Sequence, residues 1–131
     1  MYKLLIIEDD PIVAKVLTRI FVSEKYEVKL VGTVEGGFQA ALKDLPDLVL
    51  LDISLPDGSG LDLCRRMKED RRIMHIPIII LTGDATSVEN KMQGLESGAE
   101  DYVLKPFIPE ELTIRAAGIL KRSFNIRNKM L

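Results

Sequence analysis

The stretch "PDLVLLDISLPDGSG", residues 46–60, sets four apolar residues, Leu48, Val49, Leu50 and Leu51, directly against a carboxylate, Asp52. It then breaks into Pro56, Asp57, Gly58, Ser59 and Gly60. A short continuous apolar run bounded by turn residues reads as a strand buried on both faces. Asp52 therefore stands at the carboxyl end of a buried strand, where the chain leaves the core.

Similar short runs recur on both sides of it. Strands are predicted at 3–7, 27–31, 48–51, 78–81 and 101–104, and several are near-continuous Leu, Ile and Val. Helices are predicted between and after them, at 11–23, 34–43, 60–70, 87–97 and 109–123. The first of these carries Val13, Val16, Leu17, Ile20 and Phe21 at helical spacing. Pro11 and Pro109 suit a first helical turn, where no amide donor is needed, and Asp10 suits the N-cap before Pro11. Five strand–helix units, (βα)5, imply a parallel five-stranded sheet with helices on both faces and right-handed crossovers. Five strands exclude an eight-stranded barrel. The open doubly wound α/β sheet of order 2-1-3-4-5 is the natural solution.

The totals agree with one domain. The chain has 131 residues, 47% of them apolar and 29% charged. No apolar run approaches the roughly 20 residues that span a bilayer. The opening "MYKLLIIEDD" brings in acids at once, unlike a secretory leader. The net charge of −2 gives no argument for direct nucleic-acid binding or for a membrane surface. A single cysteine, Cys64, cannot form an internal disulfide, which favours a reducing, cytoplasmic setting. Cys64 reads as core. His75 has no ligand-type neighbour at useful spacing and reads as a loop residue.

Ligands of open α/β sheets sit beyond the carboxyl ends of the strands, where the strand order reverses. The strand ends therefore belong together: Glu8, Asp9 and Asp10 after the first, Asp52 after the third, Thr82 after the fourth, Lys105 and Pro106 after the fifth. Strands one and three would be neighbours, so Asp52 would meet the acids of residues 8–10. Such like charges repel unless a cation neutralises them, and Mg²⁺ suits an all-oxygen set. Lys105 adds a point charge and Thr82 a hydroxyl donor. A carboxylate nucleophile, a metal and fixed donors together fit phosphoryl transfer.

With those residues in view, the sequence resembles the receiver domain of bacterial two-component response regulators, the chemotaxis-receiver-like, flavodoxin-like family. "IIEDD", "VLLDISLPDGSG", "IIILTGDA" and "DYVLKPF" carry the resemblance in that order. The resemblance implies that Asp52 accepts a phosphoryl group from a sensor histidine kinase or a histidine phosphotransfer protein. It implies Mg²⁺, with Mn²⁺ as a substitute, on Glu8, Asp9, Asp52 and the backbone carbonyl of Ser54. Thr82 and Lys105 would contact the phosphoryl oxygens, and Lys105–Pro106 would be a cis peptide. Thr82 and Tyr102 would form a switch pair that reshapes the face made by the helix at 87–97, the strand at 101–104 and the helix at 109–123. In the branch fused to winged-helix DNA-binding domains, a dimer on phosphorylation would pair Lys91 with Glu111 and Asp101 with Arg115. Glu111 and Arg115 are also four apart on one helix and could pair within the chain. Ser54 and Asp84 flank the site and vary within the family.

The expected protein is a switch, not an enzyme that turns over a metabolite. The receiver would cover residues 1–124, with 125–131 a polar tail or the start of a linker. A pseudo-receiver that only binds partners is the alternative. A phosphatase of related topology would need an acid where Ser54 stands. A flavin carrier would need a phosphate loop where "EDDP" stands.

Overall fold

The computed structural model describes residues 1–83 and 96–130, with side chains through residue 126. The described elements, in order, are β1 (Lys3–Ile7), α1 (Pro11–Ser23), β2 (Glu27–Val31), α2 (Val34–Asp44) and β3 (Leu48–Asp52). There follow β4 (Ser54–Leu55), β5 (Gly58–Ser59), α3 (Gly60–Glu69), β6 (Ile78–Thr82), β7 (Asp101–Leu104) and α4 (Pro109–Met130). The predicted helix at 87–97 falls mainly outside the described residues, and so do Asp84 and Lys91.

The main sheet has the order β2-β1-β3-β6-β7, and every neighbouring pair is parallel. Counted without the small β4–β5 hairpin, this is the predicted 2-1-3-4-5 order. Successive side chains of a strand point to opposite faces, and the two cores follow that alternation. Leu5, Ile7, Val49, Leu51, Ile78 and Ile80 pack against Phe38 and Ala41 of α2 and Leu63, Cys64 and Met67 of α3. Leu4, Ile6, Leu48, Leu50, Ile79 and Leu81 pack against Leu17 and Phe21 of α1 and Leu112, Ala116, Ile119 and Leu120 of α4. β3 and β6 are buried along their whole length, which is why their sequences do not alternate. β2 lies on the sheet edge and is mostly exposed.

Two strands run one residue further than predicted. Asp52 pairs with Leu81, and Thr82 with Leu104, so the ladder extends to the polar residues themselves. The last helix also runs past the predicted end at residue 123, through Met130. The stretch "NIRNKM" contains neither glycine nor proline to stop it.

Helix starts agree with their capping chemistry. Asp10 caps α1, its Oδ1 accepting from the N–H of Ile12 (2.9 Å) and Val13 (3.3 Å), with Pro11 in the first turn. Thr33 and Ser59 cap α2 and α3. All five sheet strands point the same way, so one edge of the sheet gathers every carboxyl end.

Candidate functional site

β1 and β3 are adjacent, and their ends hold three acids together. Glu8, Asp9 and Asp52 each offer a carboxylate oxygen, and these atoms lie within 4.8 Å of one another. Glu8 is 3% exposed and Asp52 8%, so two carboxylates are buried side by side, while Asp9 is exposed at the mouth. Their placement follows from the backbone. The Glu8 N–H donates to Val31 O (2.9 Å), continuing the β1–β2 ladder one step past the strand. Past β3, the Ile53 N–H donates to Leu81 O (3.3 Å), and the Gly60 N–H to Ile53 O (2.7 Å).

Lys105 reaches into this group from the end of β7. Its Nζ lies 2.7 Å from Glu8 Oε1 and 3.2 Å from Asp52 Oδ1. The Lys105 N–H donates to Thr82 O (2.7 Å), which fixes the start of the β7 loop beside β6. The Lys105–Pro106 peptide is cis. Thr82 is buried at the end of β6, and Tyr102 is buried within the core on the α2–α3 side.

The electrostatics follow from this crowding. Burial pushes the Glu8 carboxyl above its usual range; the Lys105 ammonium opposes the shift and the Asp52 charge adds to it. Burial also works against the Lys105 ammonium, yet the Glu8 and Asp52 carboxylates outweigh it and hold the lysine above its ordinary value. Three carboxylates against one ammonium leave two surplus negative charges. The donors are all oxygen, with no imidazole or thiolate among them. This set fits a hard divalent cation such as Mg²⁺.

The structure thus brings together Glu8, Asp9, Asp52, Thr82 and Lys105. It also places the residues of the expected dimer face. Arg115 Nη1 binds Asp101 Oδ1 and Oδ2 (both 3.0 Å), and Nη2 binds Glu111 Oε1 (2.8 Å), all within the chain. Lys91, the expected partner of Glu111, lies outside the described residues. His75 is exposed, and Cys64 is fully buried with its Sγ 3.6 Å from Ser97 O.

One residue near the site was read only as a turn. Asp57 accepts from the N–H of Val34 (2.7 Å) through Oδ1 and of Glu35 (3.1 Å) through Oδ2. These bonds span more than twenty residues of sequence, so no local spacing rule announces them. The visible signal was the set of four unsatisfied N–H groups that every helix start carries.

Residues 4–117 match the family model of the response regulator receiver domain. The chain is 38% identical over 129 residues to the DNA-binding response regulator MtrA of Mycolicibacterium smegmatis, covering 98% of this chain and 55% of that protein. It is 39% identical over 123 residues to protein RcaC of Microchaete diplosiphon, covering 94% of this chain and 18% of that one. The chain spans about half the length of the mycobacterial regulators it matches. Among solved structures, it superposes on a CheY-like receiver domain protein of Methanospirillum hungatei with a TM-score of 0.88 at 30% identity, covering 95% of this chain and 98% of that one. It superposes on the receiver domain of sensor histidine kinase PA1611 of Pseudomonas aeruginosa, which has a magnesium ion in its active site cleft, with a TM-score of 0.81 at 29% identity (95% and 98% covered). Receiver domains bind Mg²⁺ at an acidic pocket and interact with histidine kinases. They are signalling switches, not enzymes that turn over a metabolite. The match runs from β1 into α4 and takes in every strand end described above, and the chain belongs to the receiver domain family of two-component response regulators, which signal by phosphorylation.

Proposed function

We propose that Asp52 is the phosphoacceptor of a switch that a sensor histidine kinase or a histidine phosphotransfer protein sets. The observation that carries this is the convergence of Lys105 Nζ on Glu8 (2.7 Å) and Asp52 (3.2 Å) at the end of β3. In the transfer, an Asp52 carboxylate oxygen attacks phosphorus, and the P–N bond to the donor imidazole breaks. The imidazole nitrogen keeps that electron pair and takes up a proton. Hydrolysis reverses the state: water attacks phosphorus, the P–O bond breaks, and Asp52 returns as a carboxylate beside inorganic phosphate.

Glu8, Asp9, Asp52 and the backbone carbonyl of Ser54 would hold Mg²⁺, with Mn²⁺ as a substitute. When bound, the ion supplies positive charge for the crowded acids and for the phosphoryl oxygens. Lys105 Nζ and the Thr82 hydroxyl donate to those oxygens, so Lys105 exchanges acid partners for the phosphoryl group. Thr82 and Tyr102 carry the change to the face of β7 and α4, where Asp101, Glu111 and Arg115 lie. Phosphorylated copies pair through that face. Residues 1–124 form the receiver, and 125–131 begin a connection to an output part. DNA binding, named for the MtrA relatives, is the output we assign to the whole protein, working in the cytoplasm.

Intact-mass spectrometry after incubation with acetyl phosphate tests this. A labile gain of one phosphoryl group is expected with Mg²⁺, and none with EDTA or in Asp52→Asn. No gain in the wild-type chain from acetyl phosphate or from a phosphorylated kinase would leave the pseudo-receiver reading in its place.

A further inference from the structure

The metal site assigned above has two walls. Glu8 and Asp9 come from the end of β1. Ser54 comes from the loop after β3. No side chain of that loop bonds to the β1 wall directly among the described residues, but both walls rest on the start of α2.

The β1 wall does so through the turn between β2 and α2. Glu8 N–H donates to Val31 O (2.9 Å), and a side chain added at Gly32 would lie 3.7 Å from both Glu8 O and Asp9 Cα. The turn therefore passes directly against the backbone of the two acids. The β3 wall does so through Asp57. Its carboxylate takes the N–H groups of Val34 (2.7 Å) and Glu35 (3.1 Å), the first two residues of α2. Thr33 Oγ1 takes the N–H of Gly36 (2.9 Å), so cap and carboxylate together satisfy the free donors of the first turn. Those two donors hold the Asp57 carboxyl below its usual range, Val34 more than Glu35. The hairpin transmits the anchor to the site: Leu55 pairs with Gly58 and Ser54 with Ser59, on either side of Pro56 and Asp57. A Cβ at Gly58 would also lie 3.5 Å from Val34 Cγ2, so the hairpin tip packs on the same helical turn.

We propose that Asp57 is a positioning residue of the metal site: it clamps the β4–β5 hairpin to the first turn of α2 and so sets where Ser54 stands relative to Glu8 and Asp9. This rests on the assignment of the cation to those residues. Asp57 itself touches neither metal nor phosphoryl group. Losing a partner that orients a ligand from outside the coordination shell typically costs 10–100-fold in metal affinity, and a backbone ligand on a braced hairpin belongs at the lower end.

The test is a Mg²⁺ titration of the full chain followed by backbone amide NMR shifts. It compares wild type, Asp57→Ala, Asp57→Asn and Thr33→Ala, each checked for folding by thermal melt. Asp57→Ala should bind Mg²⁺ about tenfold more weakly, and Asp57→Asn, which keeps one acceptor oxygen, should fall between it and wild type. In the metal-free Asp57→Ala protein, the Ser54 and Leu55 amides should move while those of Glu8 and Asp9 stay. Thr33→Ala removes a cap of the same helix without touching the hairpin. It should lower the melting temperature yet keep Mg²⁺ affinity within about twofold of wild type. An Asp57→Asn or Asp57→Ala protein that is folded and binds Mg²⁺ as wild type does overturns the inference alone. Equal weakening by Thr33→Ala also overturns it, since helix stability would then explain the effect. A wild-type chain that binds no Mg²⁺ overturns the site assignment and this inference with it.

Discussion

Lys105 is the group that makes the acid cluster tolerable. Without it, Glu8 and Asp52 would face each other as buried carboxylates, a costly arrangement. Asp52 still charges Glu8 unfavourably, so Asp52→Asn should stabilise the metal-free chain. Oxygens within 4.8 Å repel, and the lost contact to Lys105 offsets part of the relief. A net gain of about 1 kcal/mol in a urea melt with EDTA is expected; a loss would mean that Asp52 is held by more than it repels. A second acid lies away from the site, at the C-cap of α3. Hydrogen bonds from the Arg72 side chain, at 2.7 and 3.0 Å, hold Asp70 down from 3.8 to about 2. A depressed carboxyl contributes stability above its unfolded value of 3.8 and loses it as pH falls through about 2. Arg72→Ala should return the Asp70 titration towards 3.8, read by carboxyl NMR, and an unmoved titration would point to the backbone bond instead. The site acids were legible because each ends an apolar run, and period-two and run-length patterns locate strand ends well. Asp57 was not, because "PDG" reads as a turn and its partners lie far upstream.

Three glycines separate constraint from convenience. At Gly60, which opens α3, a Cβ would collide with Asp52 O and lie 2.9 Å from Asp52 C. These are backbone atoms that cannot swing aside. Gly60→Ala should cost about 1–3 kcal/mol and displace the carboxyl end of β3. At Gly83 nothing among the described residues lies within 4 Å of such an atom. Gly118 lies inside α4, where the nearest atom would be Arg122 Nη1 at 3.9 Å. Gly118→Ala should raise stability by about 0.5–1 kcal/mol, since glycine costs helix entropy and nothing here repays it. A melt showing no gain would reveal a hidden close approach. The order of elements was readable from the alternation of short apolar runs and amphipathic stretches. The ends were less so. Asp52 and Thr82 extend their strands because neighbouring strands continue the ladder, a tertiary cause invisible in local sequence. The end of α4 was misplaced because polar residues there continue a helix as readily as they leave one.

The whole chain is a sheet with one face on α2 and α3 and the other on α1 and α4, and the parallel strands deliver every polar end to one edge. The fold class and strand order followed from that alternation alone; the site followed from topology once the order was known. The charged face of β7 and α4 was the least legible part. Arg115 already binds Asp101 and Glu111 within its own chain. Exchanging the Asp101–Arg115 pair within the chain for the same pair between copies gains little, as exposed ion pairs are worth roughly 0–1 kcal/mol. Under the proposed function, pairing of phosphorylated copies would then depend on the exposed apolar residues of β7 and α4, Leu104 and Ile114. Ile114→Asp should abolish the dimer on a sizing column, and raised salt should leave it nearly unchanged. A dimer that dissolves in salt and survives Ile114→Asp would put the charges in control. All of this depends on where the phosphoryl group sits. Borohydride reduces an aspartyl phosphate to homoserine, so trapping after acetyl phosphate and Mg²⁺, followed by peptide mass mapping, reads the acceptor directly. Homoserine at position 52 alone is the expected result. Homoserine at position 9, or at any other acid, would contradict the assignment of Asp52.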